Sequence, residues 1–429
     1  MIGGAAQNLI ALTDSIFLFH YDRSAFAAIG IAGVYYLTIA AICFSFSRGA
    51  QILIAQYYSR KDYQHTYTFF AGLMVFEVLL GLLLLYVLFF WTEPLFQFFI
   101  GTDEVRELAL QYIRPRSYGL IFSCIGLSIM ALYAGIARTS FILYDTIVLA
   151  LVNLVLNYGL IFGKWGLPEM GIAGAGLASS IAEAAALIAF VIYLLADKRL
   201  IIRKYVFRYL PERSGLYKLL NISWPLVFQA VLGMGCWFIF FSIIENLGEK
   251  ELARANLIRI IYFILSIPIW GYSAGINTIA GNLEGRRKRT AILPVVWRTS
   301  KVSLVNTLVV SLPVIIFPSF FLYPLLGGGD TNLLAQSGTL IWILLLVLIC
   351  FSISSIYFNG ILGLGLTKWC LVLQAGVTIV YLVCIYLIVN HTPGGLEVAW
   401  LMEIVYWVLM WIFSARKLRD WSRIKEVDG

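Results

Sequence analysis

Five polar side chains set in apolar stretches carry most of the chemical potential of this sequence: Asp14, Asn153, Asn157, Ser179 and Glu183. Asn153 and Asn157 lie in TSFILYDTIVLALVNLVLNYGLIFG. Four residues apart, they share one face of a helix, one turn from each other. Ser179 and Glu183 repeat that spacing, and Asp14 sits inside NLIALTDSIFLF. Two carboxylates, two amide oxygens and a hydroxyl form a hard-oxygen set suited to a proton or a small cation. An acid at membrane depth is expensive and ordinarily lines an ion or substrate path, so Asp14 carries the strongest expectation of function. For Asn153, Asn157 and Ser179 the competing reading is interhelical hydrogen bonding, and Glu183 stands between the two. Glu403 is a second protonatable candidate, with a neutral buried acid or an ion-pair partner as its alternatives. Glu245 closes a span, and Glu77, without a visible partner, reads as structural.

Other chemistries find little support. His20, His65 and His391 fall at loop edges and assemble no metal set or nucleophile triad. The six cysteines lie in or beside apolar runs and include no C-x-x-C pair. Neither a disulfide framework nor a zinc site is therefore expected.

The elements that hold these residues must be membrane-spanning helices. The 429-residue chain is 61% hydrophobic and 13% charged, against roughly 45–50% and about 25% in a soluble domain. Apolar runs of about 20 residues recur, each matching the ~30 Å hydrocarbon layer at ~1.5 Å rise per residue. The fold class expected is an all-α polytopic membrane protein. About twelve transmembrane helices fall near 1–20, 26–56, 66–90, 116–137, 140–162, 171–196, 221–244, 253–280, 302–323, 333–360, 369–390 and 397–415. The segment GTDEVRELALQYIRPRSYG reads as a short outer-face helix with Thr102 at its N-cap, and Pro268 with Gly271 and Gly275 predicts a bend in the eighth span.

Lys and Arg are distributed unevenly among the loops: 22 of 31 fall on one side and seven on the other, with Arg48 and Arg259 inside spans. The positive-inside rule then places both termini in the cytoplasm of a protein integral to the cell (inner) membrane. The net charge of +8 reads as topology, and no nucleic-acid partner is expected. The N-terminus, lacking a basic n-region, does not resemble a cleaved signal peptide.

A basic connection, DKRLIIRKYVFRYLPERSGLYK, divides the chain into two halves. The domains expected are an N-terminal six-helix bundle over 1–196, a cytoplasmic linker over 197–220, a C-terminal six-helix bundle over 221–415 and a tail over 416–429. The halves repeat at an offset of 226: Ser-Arg-Gly-Ala-Gln-Ile at 47–52 pairs with Ser-Ala-Gly-Ile-Asn-Thr at 273–278, and Phe99-Ile100-Gly101 with Leu325-Leu326-Gly327. Six spans per half make the repeats parallel. Pro225 would have its counterpart just before Met1, so the register predicts a first helix that lacks its opening residues, with a naturally short first span as the alternative. Aligned through Thr139 and Thr367, Asn153 corresponds to Tyr381 and Asn157 to Ile385, and Glu403 falls near the place of Ser179. The polar set thus belongs to the first half alone.

Several stretches resemble the multidrug and toxic compound extrusion (MATE) family of secondary transporters: TDSIFLF with SRGAQILIAQYYSRKD, NLVLNYGLIFGKWGLPEMGIAGAGLASSIAE, and IENLGEKELARANLIRIIYFILSIPI. The resemblance implies two six-helix bundles arranged as a V. It further implies export of organic, often cationic compounds in antiport with H+ or Na+, without a cofactor. It assigns Asp14 to the cation site and matches Asn153 and Ser179 to family positions. Asn157 departs from the family pattern, standing where an acid is usual, and Glu183 is the candidate compensation. Arg48 also departs, from an uncharged residue. The expected partners are small organic substrates and membrane lipids, with the protein a monomer and not an enzyme. The competing functions are a lipid-linked oligosaccharide flippase, which needs a strongly cationic cavity, and a membrane-embedded enzyme, which needs a His, Asp or Ser constellation at one membrane face.

Overall fold

The computed structural model describes residues 6–197, 213–321, 331–389 and 395–423; the described residues are helical with short connections and contain no strand. The basic stretch at 198–212, the repeat partner Leu325-Leu326-Gly327 and His391 lie outside them. The chain divides into two compact units, one reaching to Val227 and the other running from Phe228 to Gly429.

The first unit holds α1 (Ala6–Tyr21), α2 (Arg23–Ser59), α3 (Tyr63–Phe90), α4 (Thr92–Phe99), α5 (Asp103–Gly135), α6 (Ser140–Phe162), α7 (Gly171–Ala196) and the opening of α8 (Arg213–Glu245). The second continues with α9 (Glu249–Gly285), α10 (Ile292–Ile316), α11 (Thr331–Gln336), α12 (Gly338–Gly363), α13 (Thr367–Val389) and α14 (Gly395–Arg423). Eleven of these helices are long and apolar enough to cross a membrane. Helix α1 is not among the eleven: it has 16 described residues and extends about 24 Å at ~1.5 Å per residue. Their outward faces are apolar, with Phe90 65% and Val372 71% exposed, a surface that suits hydrocarbon and would associate in water.

In the first unit α5 is central, packing on α2, α3 and α7. In the second α12 has that place, against α9, α10 and α14, around a core that includes Trp400, Tyr262 and Phe240. Helix starts are fixed locally. Asp22 accepts a hydrogen bond from the Ala25 amide at the head of α2, and Asp62 does the same for the His65 amide at α3.

Four sequence expectations change. The outer-face helix is not separate: α5 runs unbroken through Pro115 into the fourth span, and Thr102, although extended at the N-cap position, makes no side-chain cap bond. Ser180 of α7 supports the passage. Its hydroxyl donates to the Pro115 carbonyl at 2.7 Å and accepts from the Gly119 amide at 3.0 Å, bridging a rung of the helix ladder. Helix also extends into the segments expected as linker and tail, since α8 begins at Arg213 and α14 continues to Arg423. Lastly, Cys43 of α2 and Cys124 of α5 form a disulfide with Cα atoms 5.8 Å apart. Their separation of 81 residues leaves no local signature, and the packing of α5 on α2 is what brings them together.

Candidate functional site

The loop between α6 and α7 sets the site. Gly163 caps α6 in the left-handed region at φ 63°, and the Met170 amide returns to the Leu160 carbonyl at 2.8 Å. The chain therefore reverses tightly, and α7 runs back beside α6. A Cβ on Gly174 would lie 2.6 Å from the Leu160 carbonyl oxygen, so only glycine permits this approach. Asn153 and Asn157 on α6 thereby face Ser179 on α7.

Three of the expected groups, Asn153, Asn157 and Ser179, meet at Asp14, which α1 carries into the bundle with no exposed surface. One carboxylate oxygen, Oδ1, accepts from Asn157 Nδ2 at 2.7 Å and Asn153 Nδ2 at 3.2 Å. The other, Oδ2, accepts from Ser179 Oγ at 2.7 Å and from Tyr112 Oη at 2.9 Å. Asn153 Nδ2 also reaches Ser179 Oγ at 3.0 Å, and Asn157 Nδ2 reaches Asn153 Oδ1 at 3.3 Å. Asn157 Oδ1 is buried without a hydrogen-bond partner among the described residues. Four donors on one carboxylate match the acceptor capacity of an ionised Asp.

Glu183 takes a different place. Arg116 grips it through Nη1 to Oε2 and Nη2 to Oε1, both at 2.8 Å. Tyr36 completes the pair: its hydroxyl donates to Glu183 Oε2 at 3.4 Å, and Arg116 Cζ sits 3.9 Å from its ring centroid. The two constellations form layers one helical turn apart. Tyr112 and Ser179 bind Asp14; Arg116 and Glu183, each four residues on in α5 and α7, bind one another. The sequence reads the segment holding Arg116 as an outer-face helix, yet Arg116 is 1% exposed inside α5. That error removes one charge from the outer loops and leaves the asymmetry intact. Tyr112 and Arg116 were missed together, although their i, i+4 spacing around Pro115 was a usable signal.

Gly119 makes room for this second layer, because a Cβ there would overlap Glu183 Oε2 and crowd Arg116 Nη1. Gly119→Ala should therefore lower stability by about 1–3 kcal/mol, the cost of overpacking a tight core. Thermal unfolding in detergent checks this, and an unchanged midpoint would show that the layer yields.

In the second unit, buried Glu403 of α14 accepts from Tyr381 Oη of α13 at 2.6 Å. This pair occupies the repeat positions of Ser179 and Asn153, while the place of Asn157 is taken by buried Ile385. Glu77 is partnered by Ser47 Oγ at 2.8 Å. Arg259 lies over the Phe241 ring at 4.8 Å, and Pro268 is accommodated within a continuous α9. Arg48 is half-buried, and Glu245 closes α8 in an exposed position.

A family model described as MatE matches residues 1–159 and 225–387. The probable multidrug resistance protein NorM of Thermotoga maritima is 24% identical over 321 residues, 73% of this chain and 67% of that protein. Its namesake from Rhizobium meliloti is 32% identical over 174 residues, 41% of this chain and 37% of its own. Among solved structures, one described as MATE in the straight conformation superposes with a TM-score of 0.89 at 18% identity, covering 99% of this chain and 94% of that one. A second, an outward-facing multidrug resistance MATE family transporter of the MOP superfamily, gives 0.87 at 18% identity with the same coverage.

Proposed function

The chain belongs to the MatE family, and on that footing we propose that it is a secondary active exporter of small organic, often cationic compounds, coupled to H+ or Na+ at Asp14. The observation that carries this reading is the buried carboxylate held by four donors from three helices. Ionised, Asp14 satisfies all four. Protonated, it becomes a donor itself, and one neighbour must turn to accept. Ser179 Oγ and Tyr112 Oη can do so by rotating their hydroxyls, and Asn157 by presenting its unpartnered Oδ1. Occupancy of one proton is thus converted into a changed contact between α1 and α5, α6 or α7. An ion drives a transport cycle only through differential affinity for its two states, and a rearrangement of this kind supplies one.

Sodium is the second reading. It requires oxygen ligands, and Asn157 Oδ1 together with Asp14 offers a start. With an amide where the family pattern has an acid, the site has one negative charge fewer for such an ion, so the proton is the better fit. Proteoliposomes loaded with a fluorescent organic cation distinguish the two. Efflux should follow an imposed pH gradient and respond weakly to a sodium gradient alone; efflux driven by neither would overturn the proposal.

The protein is proposed to act as a monomer in the cell (inner) membrane, among lipids, with no nucleic-acid partner, cofactor or catalytic activity. The flippase alternative gains nothing from the third arginine, because Arg116 is neutralised by Glu183. We propose a cytoplasmic location for both termini, supported by the excess of loop Lys and Arg on that side. A cysteine introduced by Asp420→Cys near the end of α14 should react with an impermeant maleimide in inside-out vesicles only, and labelling of intact cells would reverse the orientation.

A further inference from the structure

Away from Asp14, three residues of the first unit converge at mid-helix: Cys43 of α2, Glu77 of α3 and Cys124 of α5. All three are buried, and their sulfur and carboxylate oxygen atoms lie within 4.8 Å of one another. The surroundings are apolar, part of the core that includes Leu84, Leu88 and Leu120. Gly81, one turn from Glu77, holds that face of α3 against Cys124, with its Cβ position 3.5 Å from Cys124 Sγ.

The disulfide alone leaves Glu77 unexplained. Ser47 Oγ fixes Glu77 Oε1 at 2.8 Å, while Oε2 is buried with no hydrogen-bond partner among the described residues. A buried carboxylate oxygen without a partner is costly. A positive ion shared with the two sulfurs is a partner that the local chemistry supplies.

We propose that Cys43, Cys124 and Glu77 form a redox-gated site for one thiophilic divalent cation. In the oxidised state the sulfurs are bonded to each other and the site is closed. A dithiol reductant opens it by exchange: two electrons and two protons pass to Cys43 and Cys124, and the reductant leaves as its own disulfide. A divalent ion then displaces the two thiol protons and binds two thiolates and Glu77 Oε2. Two soft sulfurs select a zinc- or cadmium-like ion over magnesium or calcium. Metal–ligand bonds of about 2.0–2.3 Å need donor atoms roughly 3.5–4 Å apart, so on reduction the two sulfurs separate from their bonded distance while the Glu77 carboxylate starts within 4.8 Å of both. Ser47 acts as the outer partner that orients the carboxylate. The occupied site clasps α2, α3 and α5 through a metal, where the oxidised one links α2 and α5 alone. This inference does not depend on the role of Asp14.

The test uses the full chain in detergent, reduced with a dithiol that is then removed under nitrogen, and cadmium as the probe. Cadmium–thiolate charge-transfer absorption should report one more equivalent bound by the reduced protein than by the oxidised protein. Cys236, Cys350, Cys370 and Cys384 are free thiols and contribute equally in both states, so the comparison needs no substitution. The Cys43→Ser/Cys124→Ser double variant should lose that equivalent. Glu77→Gln should retain the stoichiometry and weaken binding by at least about tenfold, the low end of what loss of a supporting partner costs a metal site. Equal uptake in both redox states, or affinity unchanged by Glu77→Gln, would overturn the proposal.

Discussion

Asp14→Asn is expected to abolish gradient-driven efflux while leaving the protein folded and able to bind the transported dye. The hydrogen bonds explain both halves of that result. Asn153 and Asn157 donate to Oδ1, and the carbonyl oxygen of the substituted amide can keep both. Ser179 and Tyr112 donate to Oδ2, and their hydroxyls can turn to accept from the new NH2 group. The two hydroxyl protons lose Oδ2 as their acceptor in this exchange, so stability should fall by about 1–3 kcal/mol, the cost of leaving a buried donor unsatisfied. The titratable charge is gone, however, and with it the only means by which ion occupancy at this carboxylate can bias the cycle. Efflux in proteoliposomes should fall to the level of protein-free vesicles under either gradient, while dye exchange at equal concentrations on both sides persists. Export at the wild-type rate would move the coupling role to Glu183 or Glu403.

The second large effect concerns the layer below. Glu183→Leu leaves the Arg116 guanidinium buried without its counter-charge, and Arg116→Met strands the carboxylate. Breaking a buried ion pair by removing one partner costs about 3–5 kcal/mol, whereas replacing both by apolar groups of similar volume is often neutral. Each single variant should therefore unfold well below the wild type in detergent, and the Arg116→Met/Glu183→Leu double variant should recover most of the loss. The coupling across that cycle should be about 3 kcal/mol or more, given the bidentate geometry and full burial. Independent, additive effects would show that the pair is not a unit. If the double variant is stable and still exports, Glu183 is structural; if it is stable and inactive, the pair tunes the Asp14 layer through α5 and α7.

Asp14, Asn153, Asn157 and Ser179 are legible in the sequence because each is polar inside an apolar run and the asparagines share a helix face; Tyr112, the fourth donor to Asp14, is not. The helical class follows from the same patterning, with eleven of the twelve expected spans long and apolar enough to cross a membrane among the described residues. Glu183 was read as a neighbour of the cation set by that logic, but its partner is set by tertiary packing. The segment holding Arg116 is charged enough to look like a surface helix, and Pro115 looks like its end. The hydroxyl of Ser180, arriving from α7, bridges the Pro115 carbonyl to the Gly119 amide in the turn that follows that proline. The pairing of Cys43 with Cys124 was hidden for a similar reason, since an 81-residue separation carries no spacing rule. What the sequence could not contain, in each case, was which face of α5 meets α2 and α7.

The central claim is that ion occupancy at Asp14 and compound binding are thermodynamically linked. Such linkage is reciprocal, and allosteric couplings of this kind are ordinarily worth about 5–150-fold in affinity. The dye dissociation constant of the detergent-purified protein, measured by fluorescence across a pH series with and without sodium, tests it most directly. With protons competing, affinity should rise with pH by at least about fivefold. In Asp14→Asn, which resembles the protonated state, affinity should stay at the acid-side value at every pH. A wild-type affinity independent of both pH and sodium, or a pH dependence retained in Asp14→Asn, would contradict the assignment.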